Sequence, residues 1–143
     1  MQRVKDIMTR GIEHVAATAT VQHAAERMAE KGIGFLAISN GQVANGVLTD
    51  RDIVVRCLAQ HRDPEQTTVE DCMSSLVATV QEDADSHEAG RIMQDQKIRR
   101  VLVMGDGGQL TGVVSLGDLA TDCDDRTLTA QVLKDVSQEG PPA

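Results

Sequence analysis

Aromatic residues are nearly absent from this 143-residue chain: there is one Phe, Phe35, and no Trp or Tyr. Stacking platforms for single-stranded nucleic acid are therefore missing, and a net charge of −8 argues against tracking a phosphate backbone. Nucleic acid is not an expected partner. Cysteine is also scarce: Cys57, Cys72 and Cys123 are odd in number and widely spaced, with no C-x-x-C pair, so neither a disulfide framework nor a zinc site is expected. No tract approaches the roughly 18 apolar residues of a membrane span, and the N-terminus lacks a signal-peptide core. The expectation is a cytoplasmic protein with no membrane partner. What is present, 41% apolar and 25% charged residues, suits one globular domain or two small ones.

The chain repeats itself. An offset of about 65 lays Val4-Lys-Asp6-Ile-Met8 on Val69-Glu-Asp71-Cys-Met73 and pairs Val15 with Val80, Ala24 with Ala89, Met28 with Met93 and Ile33 with Ile98. Beyond the Gly105 to Gln109 turn the offset becomes about 66, aligning Gly46-Val-Leu-Thr49-Asp-Arg-Asp52 with Gly112-Val-Val-Ser115-Leu-Gly-Asp118.

Each copy reads as β-α-β-β-α. Thr20 precedes an apolar stripe (Val21, Ala24, Ala25, Met28, Ala29) that ends at Gly32, which predicts a capped amphipathic helix. Asp85-Ser-His-Glu88 opens its counterpart with capping-box spacing. Asn40-Gly41 between apolar runs predicts a hairpin, repeated by Arg100 to Met104 and Leu110 to Val114. A second helix follows each hairpin, from about Asp50 to Gln60 and from Leu116 through Ala120. Thr127 to Gln138 adds a helix with Leu128, Val132, Leu133 and Val136 on one face, and the Gly140-Pro-Pro-Ala143 tail is expected to fray. The expected fold is α+β, with repeats at residues 1–62 and 69–123 and a C-terminal helix and tail at 124–143. Packing the two halves creates a pseudo-twofold axis with a cleft on each side.

The chemistry-bearing segments are Thr49-x-x-Asp52 and Ser115-x-x-Asp118. In both, a hydroxyl residue leaves a strand at the start of a helix and an Asp follows three positions later. Such a hydroxyl can donate to a phosphate or sugar oxygen beside helix N-terminal amides, and an ionised Asp can accept from both hydroxyls of a ribose. The same spacing also describes a capping box with no ligand at all.

In order, spacing and duplication these segments resemble a tandem pair of CBS domains, the cystathionine β-synthase type, over residues 1 to 122. The Gly-hydrophobic-x-Ser/Thr-x-x-Asp segments carry the likeness, supported by Asp6-Ile-Met8 and Ala24-Ala-x-x-Met28. The resemblance implies a regulatory sensor rather than an enzyme. Its ligand would be adenosine-containing (AMP, ADP, ATP, S-adenosylmethionine or NAD), no cofactor would be required, and the protein would form a homodimer through its helices and act on a separate protein. The alternative is a ligand-free homodimeric interaction or stress-response protein. Carried over by position, Thr49 meets phosphate and Asp52 ribose in the first cleft, with Arg51 a further phosphate ligand, and Ser115 and Asp118 act likewise in the second. Adenine lies against Ile33, Phe35 and Leu36 or against Ile98, Arg100 and Val101, and Ile12 and Val77 complete the pockets. Two departures matter: Ala37 and Leu102 stand where the family often has Pro, and Gly117 stands opposite Arg51, so the second cleft must recruit Lys97, Arg99 or Arg100. With Arg51 as a phosphate ligand, the first cleft is expected to favour phosphorylated ligands, and the two sites are expected to differ.

Cys57 and Cys72 fall on apolar repeat positions and read as buried small hydrophobes, while acidic neighbours disfavour a Cys123 thiolate. The four histidines, His14, His23, His61 and His87, show no metal-ligand spacing.

Overall fold

The computed structural model describes residues 1–39, 44–74 and 78–138. In chain order the first elements are α1 (Val4–Ile7), β1 (Thr9–Arg10), β2 (His14–Val15), α2 (Val21–Lys31), β3 (Phe35–Ser39) and β4 (Ala44–Thr49). There follow α3 (Asp50–Asp52), a π-helical turn (Ile53–Leu58) and a 3-10 turn (Val69–Asp71). The second half contains β5 (Thr79–Gln81), α4 (Ser86–Gln96), β6 (Arg100–Met104), β7 (Leu110–Ser115), α5 (Leu116–Asp122) and α6 (Arg126–Ser137).

The chain forms two compact units, Ile12–Val77 and Met1–Gly11 with Ala78–Ala143. Units of packing are therefore not units of sequence repetition, because each repeat's opening segment belongs to the other repeat's core. In the Ile12–Val77 unit, β2 runs parallel to β3 and β3 antiparallel to β4. Its core joins Val21, Ala24 and Met28 of α2 to Leu36, Ile38 and Leu48 of the sheet, and is completed by Cys57, Val69 and Cys72. The second unit repeats this with β5, β6 and β7, and β1 adds a fourth strand antiparallel to β7. Its core holds Val4 and Ile7 of α1 together with Met93, Val101, Val114 and Leu119, and α6 inserts Val132 and Val136.

The helix signals on α2 are realised: Thr20 Oγ1 accepts from His23 N at 3.1 Å, and Gly32 ends the helix at φ 65°. The Asn40-Gly41 turn lies outside the described residues, as do Val77 and the Gly140 to Ala143 tail. Elsewhere the local structure departs from expectation. The helix expected from Asp50 to Gln60 is three residues of α-helix continued by a π-turn to Leu58; Ile53-Val-Val55 is a β-branched run that crowds the preceding turn, whereas the equivalent Leu119-Ala-Thr121 stays α-helical. Asp85 caps α4 through His87 N rather than through a Glu88 capping box. Leu133 leaves the buried face of α6 and is 51% exposed, since its neighbour Val132 already points inward and consecutive helical residues diverge by about 100°.

Candidate functional site

Each hydroxyl-Asp segment sits where the last hairpin strand turns into a helix. Thr49 Oγ1 accepts from Asp52 N at 3.0 Å, and Asp52 Oδ2 accepts from Thr49 N at 3.0 Å. Ser115 and Asp118 reproduce both bonds, at 3.0 and 2.9 Å. Both segments are thus reciprocal capping boxes. The boxes leave chemical capacity unspent, because a hydroxyl that accepts keeps its own proton to donate and a carboxylate has lone pairs on two oxygens. Arg56 Nε stands 3.8 Å from Asp52 Oδ1, while Thr9 Oγ1 lies 3.2 Å from both carboxylate oxygens of Asp118.

The remaining expected residues divide into those near these turns and those elsewhere. Phe35 pairs with Thr49 and Arg100 with Ser115 across the hairpins, so both lie beside their hydroxyl residue. Ile12, Ile33 and Ile98 are half-buried. Leu36 and Val101 are fully buried, with their side chains in the two cores. Lys97 is drawn away by α6, with Nζ 3.3 Å from Asp135 O and 3.4 Å from Gln138 Oε1.

The two turns differ in the partners of their amides and side chains. Asp50 N donates to Gly34 O at 2.9 Å, and Asp50 Oδ1 accepts from Arg51 N at 2.8 Å. With Asp52 N held by Thr49, each of the first three amides of α3 has a partner within the protein. Arg51 is exposed, and it is Arg56 that approaches Asp52. In the second copy Leu116 stands in place of Asp50; the Leu116 amide donates to Arg99 O at 2.9 Å and the Asp118 amide to Ser115 Oγ at 3.0 Å.

The motif glycine has a role that the sequence reading left unexplained. A Cβ on Gly46 would stand 2.3 Å from Ser74 O, and one on Gly112 would stand 2.4 Å from Thr9 O. Each glycine is the bare backbone on which the exchanged segment lies. Val47 and Ser74 exchange backbone bonds at 3.3 and 3.0 Å, and Arg10 pairs with Gly112.

This doubled arrangement has known relatives. Residues 4–58 and 69–123 each match the CBS domain. The chain belongs to the CBS-domain family. It is 34% identical over 139 residues to the CBS domain-containing protein YhcV of Bacillus subtilis, covering 97% of this chain and 98% of that one. Its match to the uncharacterized protein MK0525 of Methanopyrus kandleri, 34% identical over 117 residues, takes in 81% of this CBS pair but 60% of that longer protein. Among solved structures, the CBS domain protein PAE2072 of Pyrobaculum aerophilum, complexed with AMP, superposes with a TM-score of 0.76 at 26% identity, covering 93% and 99% of the two chains. Hypoxic Response Protein I, solved with two coordinated zinc ions, gives 0.73 at 34% identity over 84% of this chain and 98% of that one. Among the described residues here, no group of three or more His, Cys, Asp or Glu is arranged to hold a metal. No helix among them is long and apolar enough to cross a membrane.

Cys57 and Cys72 are completely buried, as their repeat positions predict, and burial together with the neighbouring Cys57 raises the Cys72 thiol above its ordinary range. One arrangement escaped the sequence reading. His87 bridges Asp85 and Asp125, contacts that no i+3 or i+4 spacing search finds because the second partner lies 38 residues away.

Proposed function

We propose that this CBS pair is a regulatory module without catalysis of its own. It binds an adenosine-containing ligand, of the AMP, ADP, ATP, S-adenosylmethionine or NAD type, at Thr49 and Asp52 and at Ser115 and Asp118, and acts on a separate protein. The observation that carries the reading is the doubled capping box, in which each hydroxyl keeps a donatable proton and each Asp keeps accepting capacity. The AMP complex of PAE2072 supports the ligand class. The two sites are unequal: Asp118 already receives Thr9, and Asp50 places a carboxylate beside the first site but not the second. Phosphate-bearing ligands accordingly favour the Ser115 site.

A thermal-shift panel of the five ligands tests the binding, because a ligand at 100 times its dissociation constant stabilises by about 2.7 kcal/mol. Calorimetry on Asp52→Ala and Asp118→Ala then assigns the sites. Each variant is expected to lose its own site's heat while the unliganded protein loses about 1 kcal/mol from the cap. Absence of any ligand shift favours instead the ligand-free interaction protein. We assign self-association to Val54 and Leu58; their 56% and 52% exposure, one turn apart, supports this, whereas Leu119 on α5 is buried. Val54→Glu is expected to shift sedimentation toward monomer.

A further inference from the structure

The His87 cluster lies outside the ligand-binding turns and ties two helix starts together. Asp85, the N-cap of α4, accepts His87 N at 3.0 Å through Oδ1, and the same oxygen lies 2.7 Å from His87 Nδ1. Asp125, the N-cap of α6, accepts Leu128 N at 2.9 Å through Oδ1, while its Oδ2 lies 2.9 Å from His87 Nε2. Both ring nitrogens therefore face carboxylate oxygens, which only accept, so both bonds form only when each nitrogen carries a proton.

Asp85 and Asp125 face the ring, and the charged residues flanking them in sequence are predominantly acidic. α4 and its cap bring Asp85, Glu88 and Arg91, and the start of α6 brings Asp124, Asp125 and Arg126. The N-terminal segment brings Arg3, already paired with Asp83 at 3.4 Å. The rest of α6 is held by different forces. Val132 packs so closely on Gly90 of α4 that a Cβ there would meet it at 3.3 Å, and Val136 is buried beyond it; in the first turn Leu128 also nears Gly90, and Thr129 Oγ1 donates to Leu119 O at 3.1 Å. Loss of the ring contacts thus weakens the first turn of α6, which keeps its Leu128 and Thr129 contacts, and leaves the body of the helix in place.

We propose that His87 is a proton-gated clasp on the first turn of α6. With the ring protonated, the two N-caps are joined. When the ring loses a proton, one nitrogen presents a lone pair to a carboxylate, that contact becomes repulsive, and the turn from Arg126 to Thr129 loosens. The side-chain bonds to Asp85 and then Asp125 raise the His87 pKa above its ordinary value. The two carboxyls are lowered, chiefly by backbone bonds from His87 and Leu128, and stay ionised through the transition. Because the folded-state pKa is the raised one, the clasp is fully engaged below the ordinary histidine value of about 6.5 and is lost as pH rises through the higher folded value.

Nitrogen-15 NMR of the ring, with amide hydrogen exchange on the full chain, tests the clasp. After correction for intrinsic exchange, protection at Leu128 and Thr129 is expected to fall by up to about tenfold per pH unit between the ordinary histidine value and the His87 transition and to level off above it, while Met93 and Val136 stay level throughout. His87→Gln should abolish that pH dependence. Asp125→Asn, which keeps a capping oxygen, should move the ring transition to lower pH. A Leu128 protection that ignores pH, an equal trend in His87→Gln, or a ring transition unmoved in Asp125→Asn would overturn the proposal.

Discussion

Gly46 and Gly112 decide whether the exchanged segments can lie flat, because a methyl group at either position would overlap a carbonyl oxygen of fixed backbone. Gly46→Ala and Gly112→Ala are each expected to destabilise by about 1–3 kcal/mol, measured by urea unfolding, with the damage confined to one unit in each case. A loss below a few tenths would show that the segments shift at little cost. The sequence made both glycines visible as motif positions but gave no reason for them, since the carbonyls that need the space come from Ser74 and Thr9, 28 and 103 residues away. The hydroxyl and Asp positions were legible for the opposite reason. Their partners are three residues distant, and local hydrogen bonding follows from spacing alone. Asp50 lay between these extremes: its carboxylate was in plain view, but only the folded turn reveals that it takes the Arg51 amide.

Among the elements, α2 follows its sequence most closely. It has a Thr cap, an apolar stripe and a left-handed glycine, each of which acts within one or two turns. Thr20→Ala removes the bond to His23 N and is expected to lower stability by about 1 kcal/mol in thermal unfolding, leaving the Asp118 site's affinity unchanged. The start of α4 misled because Asp85 has two competing local partners. Glu88 offers a capping box, but the His87 side chain occupies the cap oxygen and reaches onward to Asp125. The π-turn was illegible for a subtler reason, as apolar periodicity of 3.6 survives a short wide turn almost unchanged. Only the β-branched run in the first copy, set against Leu119-Ala-Thr121 in the second, distinguishes them.

For the whole molecule, duplication was plain in the sequence, but the exchange of opening segments was not, because self-alignment reports which residues are equivalent and not which core they join. Two fragments separate these ideas. Ile12–Val77 contains a complete core with Val69 and Cys72, whereas residues 1–62 carry an α1 whose Val4 and Ile7 have no core to enter. By circular dichroism the first is expected to keep more helix and to melt more cooperatively, although at this size both are marginal. Equal behaviour would mean that the exchanged segments contribute little. The same connectivity imposes a timetable on synthesis. As the chain leaves the ribosome, the Ile12–Val77 unit has all its parts once Val77 has emerged, while residues 1–11 must wait for β6, β7 and α5. Residues 1–11 are thus made before the Ile12–Val77 unit and packed after it.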